Sequence, residues 1–97
     1  MSSIMEELIK RILCEQGLDK ITLSSLIDFG DEIDDDGDVI SIVANTIGID
    51  DEGKVILYDN RDEDENGVIE PIAFFNTLDI EMQNKVMFSL EYTLKTL

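Results

Sequence analysis

Apolar residues recur at helical spacing at the two ends of the chain, where every third or fourth position is hydrophobic. The first run begins after Ser3 and contains Glu6, a spacing typical of a capping box, in which each side chain satisfies a free backbone N–H at the helix start. Gly17 follows the run and is a typical terminating residue. The pattern therefore predicts a first helix whose apolar face consists of Ile4, Met5, Leu8, Ile9, Ile12 and Leu13.

A second helix is predicted from near Asp79, a favourable N-cap residue, to about Lys95. Phe88 and Tyr92 are four residues apart and fall on the other side of this helix from its apolar stripe. They either pair at the surface or pack under a loop, or they form a second contact surface such as a homodimer interface. The stripe that we expect to face the core consists of Met82, Val86, Met87, Leu90, Leu94 and Leu97.

Between the helices the pattern changes to short β-branched runs separated by turns rich in Asp and Gly. Runs at residues 39–49 and 55–58 flank a turn at 50–53 and predict a hairpin. A second hairpin is predicted around residues 34–38, with 26–33 as its first strand; residues 21–29 are ambiguous because Ser24 and Ser25 interrupt the alternation. Residues 68–70 are a further candidate strand, which Pro71 would place at an edge or a strand end.

These elements predict a single α+β domain over residues 1–97. We expect an N-terminal helix, an antiparallel meander of three to four strands and a C-terminal helix, with both helices packed on one face of the sheet. No linker is long enough to separate two domains, and we find no internal repeat.

Charge is distributed very unevenly along the 97 residues. The chain has 23 acidic and 7 basic residues, for a formal net charge of −16. Residues 28–70 contain sixteen of those acids against Lys54 and Arg61, a net charge of −14, and the two helical ends are close to neutral. Because alternate turns of a meander lie at opposite ends of the sheet, the first hairpin turn and the loop after the third strand should share one end. We expect that end to carry Asp34, Asp35, Asp36, Asp38, Asp62, Glu63, Asp64 and Glu65.

Such a surface suits a basic protein partner, and it argues against direct binding of DNA or RNA, which requires a Lys/Arg footprint. Our main hypothesis is a non-enzymatic interaction protein, in its strongest form a nucleic-acid mimic or inhibitor whose carboxylates occupy a basic groove. The chain has no His, one Cys, and no Gly-rich phosphate loop or nucleophile elbow. We therefore expect neither an enzyme nor a Cys/His zinc site, and no cofactor apart from a weakly bound Ca²⁺.

The calcium alternative comes from residues 62–69, which resemble the first eight positions of an EF-hand loop, with Asp62, Asp64 and Asn66 at ligand positions and Gly67 at the turn. Ala73 stands where the bidentate Glu belongs, and a strand-like run precedes the loop in place of a helix. The alternatives are a weak divalent-cation site, with Asp59 or Glu70 as a further ligand, and a polar turn in a chain rich in acids.

The helix–acidic strands–helix order, with KVILYD at residues 54–59 and LDIEMQ at 78–83, resembles small acidic proteins encoded on mobile elements of gut bacteria. That resemblance implies an α+β fold and an intracellular location. The N-terminal segment lacks the features of a secretory signal, no stretch approaches the ~18 apolar residues of a membrane span, and Cys14 has no partner for an intramolecular disulfide. We expect a cytoplasmic protein that does not bind membranes.

Overall fold

The chain folds as a helix, a four-stranded antiparallel sheet and a second long helix, in a computed structural model that describes residues 4–62 and 70–96. The sheet is a meander of strand order β1-β2-β3-β4. The predicted α+β architecture is confirmed. The elements are α1 (Ile4–Glu15), β1 (Lys20–Ile33), β2 (Val39–Ile49), β3 (Val55–Tyr58), a 3₁₀ helix (Asn60–Asp62), β4 (Ala73–Phe74), a second 3₁₀ helix (Phe75–Thr77) and α2 (Ile80–Lys95).

One hydrophobic core joins both helices to the sheet, which places the helices on the same face as predicted. Ile9 and Leu13 of α1 and Val86 and Leu90 of α2 are fully buried. Met82, Met87 and Leu94 of the predicted α2 stripe pack at its margin, and Leu97 lies outside the described residues. The sheet supplies Ile21, Leu23, Ile27, Ala44, Ile47, Val55 and Leu57, and Phe75 completes the core.

The helix ends follow the local chemistry of the sequence. Asp79 is the N-cap of α2, and its carboxylate accepts a hydrogen bond from the backbone N–H of Met82 at 2.9 Å. Gly17 takes a φ of 70° just after α1, where the next residue donates back to the carbonyl of Leu13 at 2.9 Å. Ser3, the predicted cap of α1, lies outside the described residues.

Glu6 has a contact that the capping pattern did not predict. Its side chain is buried, and Oε2 accepts a hydrogen bond from the backbone N–H of Val55 at 3.2 Å. The carboxylate therefore ties the first turn of α1 to the start of β3, 49 residues away in sequence.

Strand β1 is longer than predicted because it accommodates a large irregularity. Thr22 pairs with Thr46 and Ile27 with Ala44, so five steps along β1 match two along β2. Ser24, inside this irregularity, donates its backbone N–H to the hydroxyl of Thr93 in α2 at 3.0 Å. The break in alternation that made residues 21–29 ambiguous is thus the place where α2 docks on the sheet.

The fourth strand also differs in position from the predicted candidate. The structure pairs Ala73 with Leu57 and Phe74 with Ile56, so β4 follows Pro71. Residues 68 and 69 of the candidate lie outside the described residues.

Candidate functional site

The most distinctive surface is the part of the β1–β2 hairpin that extends beyond the third strand. β3 pairs only with residues from Thr46 to Ile49 of β2, so residues 28–43 form a two-stranded arm beside which residues 4–62 and 70–96 place no third strand. This arm, the acidic ribbon, contains seven acidic residues and no Lys or Arg. Its outer part, residues 30–41, is exposed to solvent apart from the half-buried Asp34.

The turn at the tip of the ribbon is built around Asp34. Its Oδ1 accepts hydrogen bonds from the backbone N–H groups of Asp36 at 3.0 Å and Asp38 at 2.8 Å. The carbonyl of Asp34 accepts from Gly37, whose φ of 84° is the left-handed conformation that glycine adopts without strain. Asp34 therefore shapes the turn, and the carboxylates of its neighbours remain exposed.

The opposite end of the sheet repeats this turn almost atom for atom. Asp50 Oδ1 accepts from the backbone N–H groups of Glu52 at 3.0 Å and Lys54 at 2.8 Å, and Gly53 has a φ of 80°. Both turns read Asp-Asp-acid-Gly, a four-residue repeat that was not predicted from the sequence.

Two further aspartates bond to the backbone two residues ahead. Asp28 Oδ1 accepts from the N–H of Gly30 at 2.7 Å, where a bulge shifts the register of the ribbon and glycine has a φ of 100°. Asp59 Oδ1 accepts from the N–H of Arg61 at 3.0 Å. Together with Asp79, five acidic residues thus serve local backbone geometry, and the exposed acids at the tip of the ribbon need another explanation.

The exposed carboxylates of the ribbon share their surface with apolar side chains. Ile33 and Val39 face each other across the strands just before and after the turn, and they are 73% and 68% exposed. Ile40 pairs with Glu32 and is also exposed. The tip therefore combines dense negative charge with apolar surface.

The eight residues predicted to share one acidic end are only partly placed by the structure. Asp34, Asp35, Asp36 and Asp38 form the ribbon tip, whereas Glu63, Asp64 and Glu65 lie outside the described residues.

The backbone of Asp62 belongs to the 3₁₀ helix that Asn60 anchors to β2. The side-chain amide of Asn45 donates to Asn60 Oδ1 at 2.9 Å, and the backbone N–H of Asn60 donates to Asn45 Oδ1 at 3.0 Å. Val39, the first β2 residue after the turn, lies six residues from that anchor, about 20 Å at 3.3 Å per residue. The ribbon turn and the described start of the loop, at Asn60–Asp62, therefore lie farther apart along the sheet than the ~8 Å screening length at physiological salt. The rest of the predicted acidic end lies outside the described residues, so the shared end stays a prediction.

The calcium hypothesis falls mostly outside the described residues, since Asp64 and Asn66 are among those not described. Asp59, the suggested extra ligand, is engaged by Arg61, whose Nε and Nη2 donate to the two carboxylate oxygens at 2.8 and 2.7 Å. These hydrogen bonds hold the pKa of Asp59 below its ordinary value of 3.8. A cation bound to Asp59 would have to displace this guanidinium. Within the described part of the chain, no group of three or more His, Cys, Asp or Glu side chains is placed to hold a metal ion.

Phe88 and Tyr92 lie on the outer face of α2, as predicted, and are 73% and 55% exposed. Together with Leu26 and Lys85 they line an open groove of about 650 Å³ between α2 and β1. Its floor includes Ser25 and Ser89, whose hydroxyls lie 3.3 Å apart. The groove is the second surface that the core does not account for.

Comparison with known proteins adds no assignment to these two surfaces: no protein-family model, no curated protein and no solved structure matches the chain. Across residues 4–62 and 70–96, no helix is long and apolar enough to cross a membrane.

Proposed function

We propose that this protein is a non-enzymatic, cytoplasmic interaction protein whose acidic ribbon binds a basic surface of another protein. The observation that carries the proposal is the ribbon itself: a two-stranded arm with seven acids, no basic residue and an exposed apolar pair at its tip. Because interacting surfaces carry complementary charge, we expect the partner to present a surface rich in Lys and Arg.

A surface that serves only solubility would explain part of this charge but not its arrangement. Solubility requires net charge and is served equally well by acids spread over the whole surface. It does not require Ile33 and Val39 to be exposed side by side among the carboxylates, and exposed apolar patches rimmed by polar groups are typical of interaction sites. The combination favours a binding surface with an apolar centre and a charged rim.

Among the acids of the ribbon, those proposed to bind the partner can be distinguished from those that stabilise the backbone of the ribbon. Asp28 and Asp34 accept backbone hydrogen bonds and are structural. Within the described part of the chain, the carboxylates of Asp35, Asp36 and Asp38 have no hydrogen-bond or ion-pair partner. These three, with Glu32 beside them, are the groups that we assign to Lys and Arg of the partner.

Association through this surface should be fast and should weaken steeply with salt, because both the long-range attraction and the rim contacts are screened. In its strongest form the ribbon is a nucleic-acid mimic, in which its carboxylates replace phosphates in a basic groove. That form predicts that the protein and a DNA or RNA duplex compete for the same partner.

The two equivalent turns provide a matched test. Asp35→Asn with Asp36→Asn removes two charges from the ribbon turn, and Asp51→Asn with Glu52→Gln removes two from the same positions of the other turn. Both variants keep the aspartate that shapes the turn. Each is used to capture proteins from a bacterial lysate at about 50 mM and about 500 mM salt, where the screening lengths differ about threefold.

We expect wild type and the 51/52 variant to retain the same basic proteins at low salt, the 35/36 variant to lose most of them, and high salt to release them in every case. Equal capture by the two variants would show that only net charge matters and would contradict the proposal. Failure of a nucleic-acid duplex to compete for the captured partner would exclude mimicry and leave the ribbon as an ordinary protein-binding surface.

A further inference from the structure

The outer face of α2 differs in composition from the acidic middle of the chain, residues 28–70. It carries the exposed apolar residues Ile80, Phe88 and Tyr92. Its charged residues are two glutamates and two lysines, so the face is neutral in a chain with a net charge of −16. In the described part of the chain these four residues, Glu81, Lys85, Glu91 and Lys95, make no ion pair, although each glutamate lies four residues before a lysine on the same helix.

The charges on this face are arranged symmetrically with opposite signs about Phe88. Glu81 lies seven residues before Phe88 and Lys95 seven residues after it. Lys85 lies three residues before Phe88 and Glu91 three residues after it. A second helix of the same sequence, laid antiparallel with a two-fold axis at Phe88, therefore brings each glutamate to the level of a lysine. We propose that a second copy of this chain binds here and forms an antiparallel α2–α2 homodimer centred on Phe88.

The apolar side chains fit the same arrangement. Because the two-fold axis passes at Phe88, this residue meets its own equivalent, and every other contact of the isologous interface occurs twice. Tyr92 comes to the level of the partner's Asn84, and both line the groove beside Leu26. The second copy would thus cover the groove and the exposed aromatic rings together.

The fold also keeps the strongly charged parts of the two copies apart. Ser24 contacts Thr93 and Ser25 contacts Ser89, so β1 runs from the C-terminal half of α2 toward its N-terminal end. The acidic ribbon continues β1 in that direction. Because the helices are antiparallel, the two ribbons would leave the dimer at opposite ends. The dimer does not depend on what the ribbons bind.

Sedimentation of the full chain tests the proposal between about 10 µM and about 1 mM, a range that brackets the affinity of a small interface. We expect wild type to dimerise and Phe88→Glu to remain monomeric with unchanged far-UV circular dichroism. In Lys95→Glu, Glu81 of each copy faces a glutamate of the other copy, so two pairs of like charges form in the dimer. We expect the dimer Kd to rise about tenfold, which corresponds to about 1.4 kcal/mol of binding free energy. Lys20→Glu makes the same charge change away from α2 and should leave the Kd close to that of wild type.

The decisive variant combines Glu81→Lys with Lys95→Glu. Within one helix this double reversal opposes the macrodipole and places like charges four residues apart, so it gives α2 no advantage of its own. Across the antiparallel dimer it restores both opposite-charge pairs, so we expect the Kd to return to within about threefold of wild type, about 0.7 kcal/mol. A wild-type chain that stays monomeric, a Phe88→Glu dimer, or a double variant as weak as Lys95→Glu would each overturn the proposal.

Discussion

The two hairpin turns allow acids that shape the backbone to be distinguished from acids that are merely exposed, by comparing the free energy of unfolding of two variants. Asp50→Ala removes the Oδ1 acceptor of two backbone N–H groups, those of Glu52 and Lys54. Asp51→Ala removes the same charge at the next position, where the carboxylate has no such bond in the described part of the chain. Both substitutions relieve the self-repulsion of a chain at −16, so the difference between them isolates the two hydrogen bonds.

We expect Asp50→Ala to be less stable than Asp51→Ala by about 1 kcal/mol. The magnitude is that of a lost side-chain cap, about 0.5–2 kcal/mol, because the released N–H groups at this exposed turn can bond to water. In a domain of this size about 1 kcal/mol lowers the Tm by roughly 4–8 °C. Asp50→Asn keeps an oxygen acceptor and should recover most of the loss.

Urea unfolding followed by far-UV circular dichroism measures the difference as a shift in midpoint at constant m-value. Asp34→Ala and Asp35→Ala form the equivalent pair in the ribbon turn and should give the same order. If the members of each pair were equally stable, the aspartates at the turn entrances would be ordinary surface acids. The division of the acids into structural and partner-binding groups would then fail.

Three further predictions concern the rest of the fold. Because the pKa of Asp59 is lowered in the folded state, its stabilising effect is present above about pH 4 and is lost as the pH falls through the folded pKa. The stability difference between wild type and Asp59→Asn should therefore shrink as the pH falls below about 4, and a constant difference would contradict the assignment. Thr93→Val removes the hydroxyl that accepts the Ser24 N–H, so the free energy of unfolding measured in urea should fall by about 1–2 kcal/mol. An unchanged free energy of unfolding would mean that water replaces the hydroxyl as the acceptor. Gly48→Ala would place its Cβ 3.2 Å from the ring of the buried Tyr58 and should lower the free energy of unfolding by about 1 kcal/mol. A rise in Tm would show that the ring can move aside without cost.

Much of the fold is predictable from the sequence because it is encoded locally. The helical spacing of apolar residues and the cap at Asp79 define α2 to within a residue. The aspartate–glycine turns define both hairpins, because the side chain and the glycine act within five residues of each other. The order of the meander follows once the turns are known.

The features that the sequence did not predict depend on distant partners. Ser24 and Ser25 break the strand pattern because they bond to α2, 64–69 residues later, and no local rule anticipates this. Glu6 is buried and accepts a hydrogen bond from the N–H of Val55, a partner 49 residues later at the start of β3. The length of the acidic ribbon depends on how short β3 is. The same shortness determines how far the acidic turn lies from the 3₁₀ helix that follows β3.

The central claim is that the ribbon, and not acidity in general, forms the binding surface. A titration of the ¹⁵N-labelled protein with a synthetic peptide that alternates lysine and apolar residues tests this claim most directly, because the two equivalent turns report side by side in one spectrum. We predict the largest amide shifts at residues 31–40, including the exposed Ile33 and Val39, and much smaller shifts at residues 50–54. Shifts at residues 50–54 as large as those in the ribbon would contradict the claim.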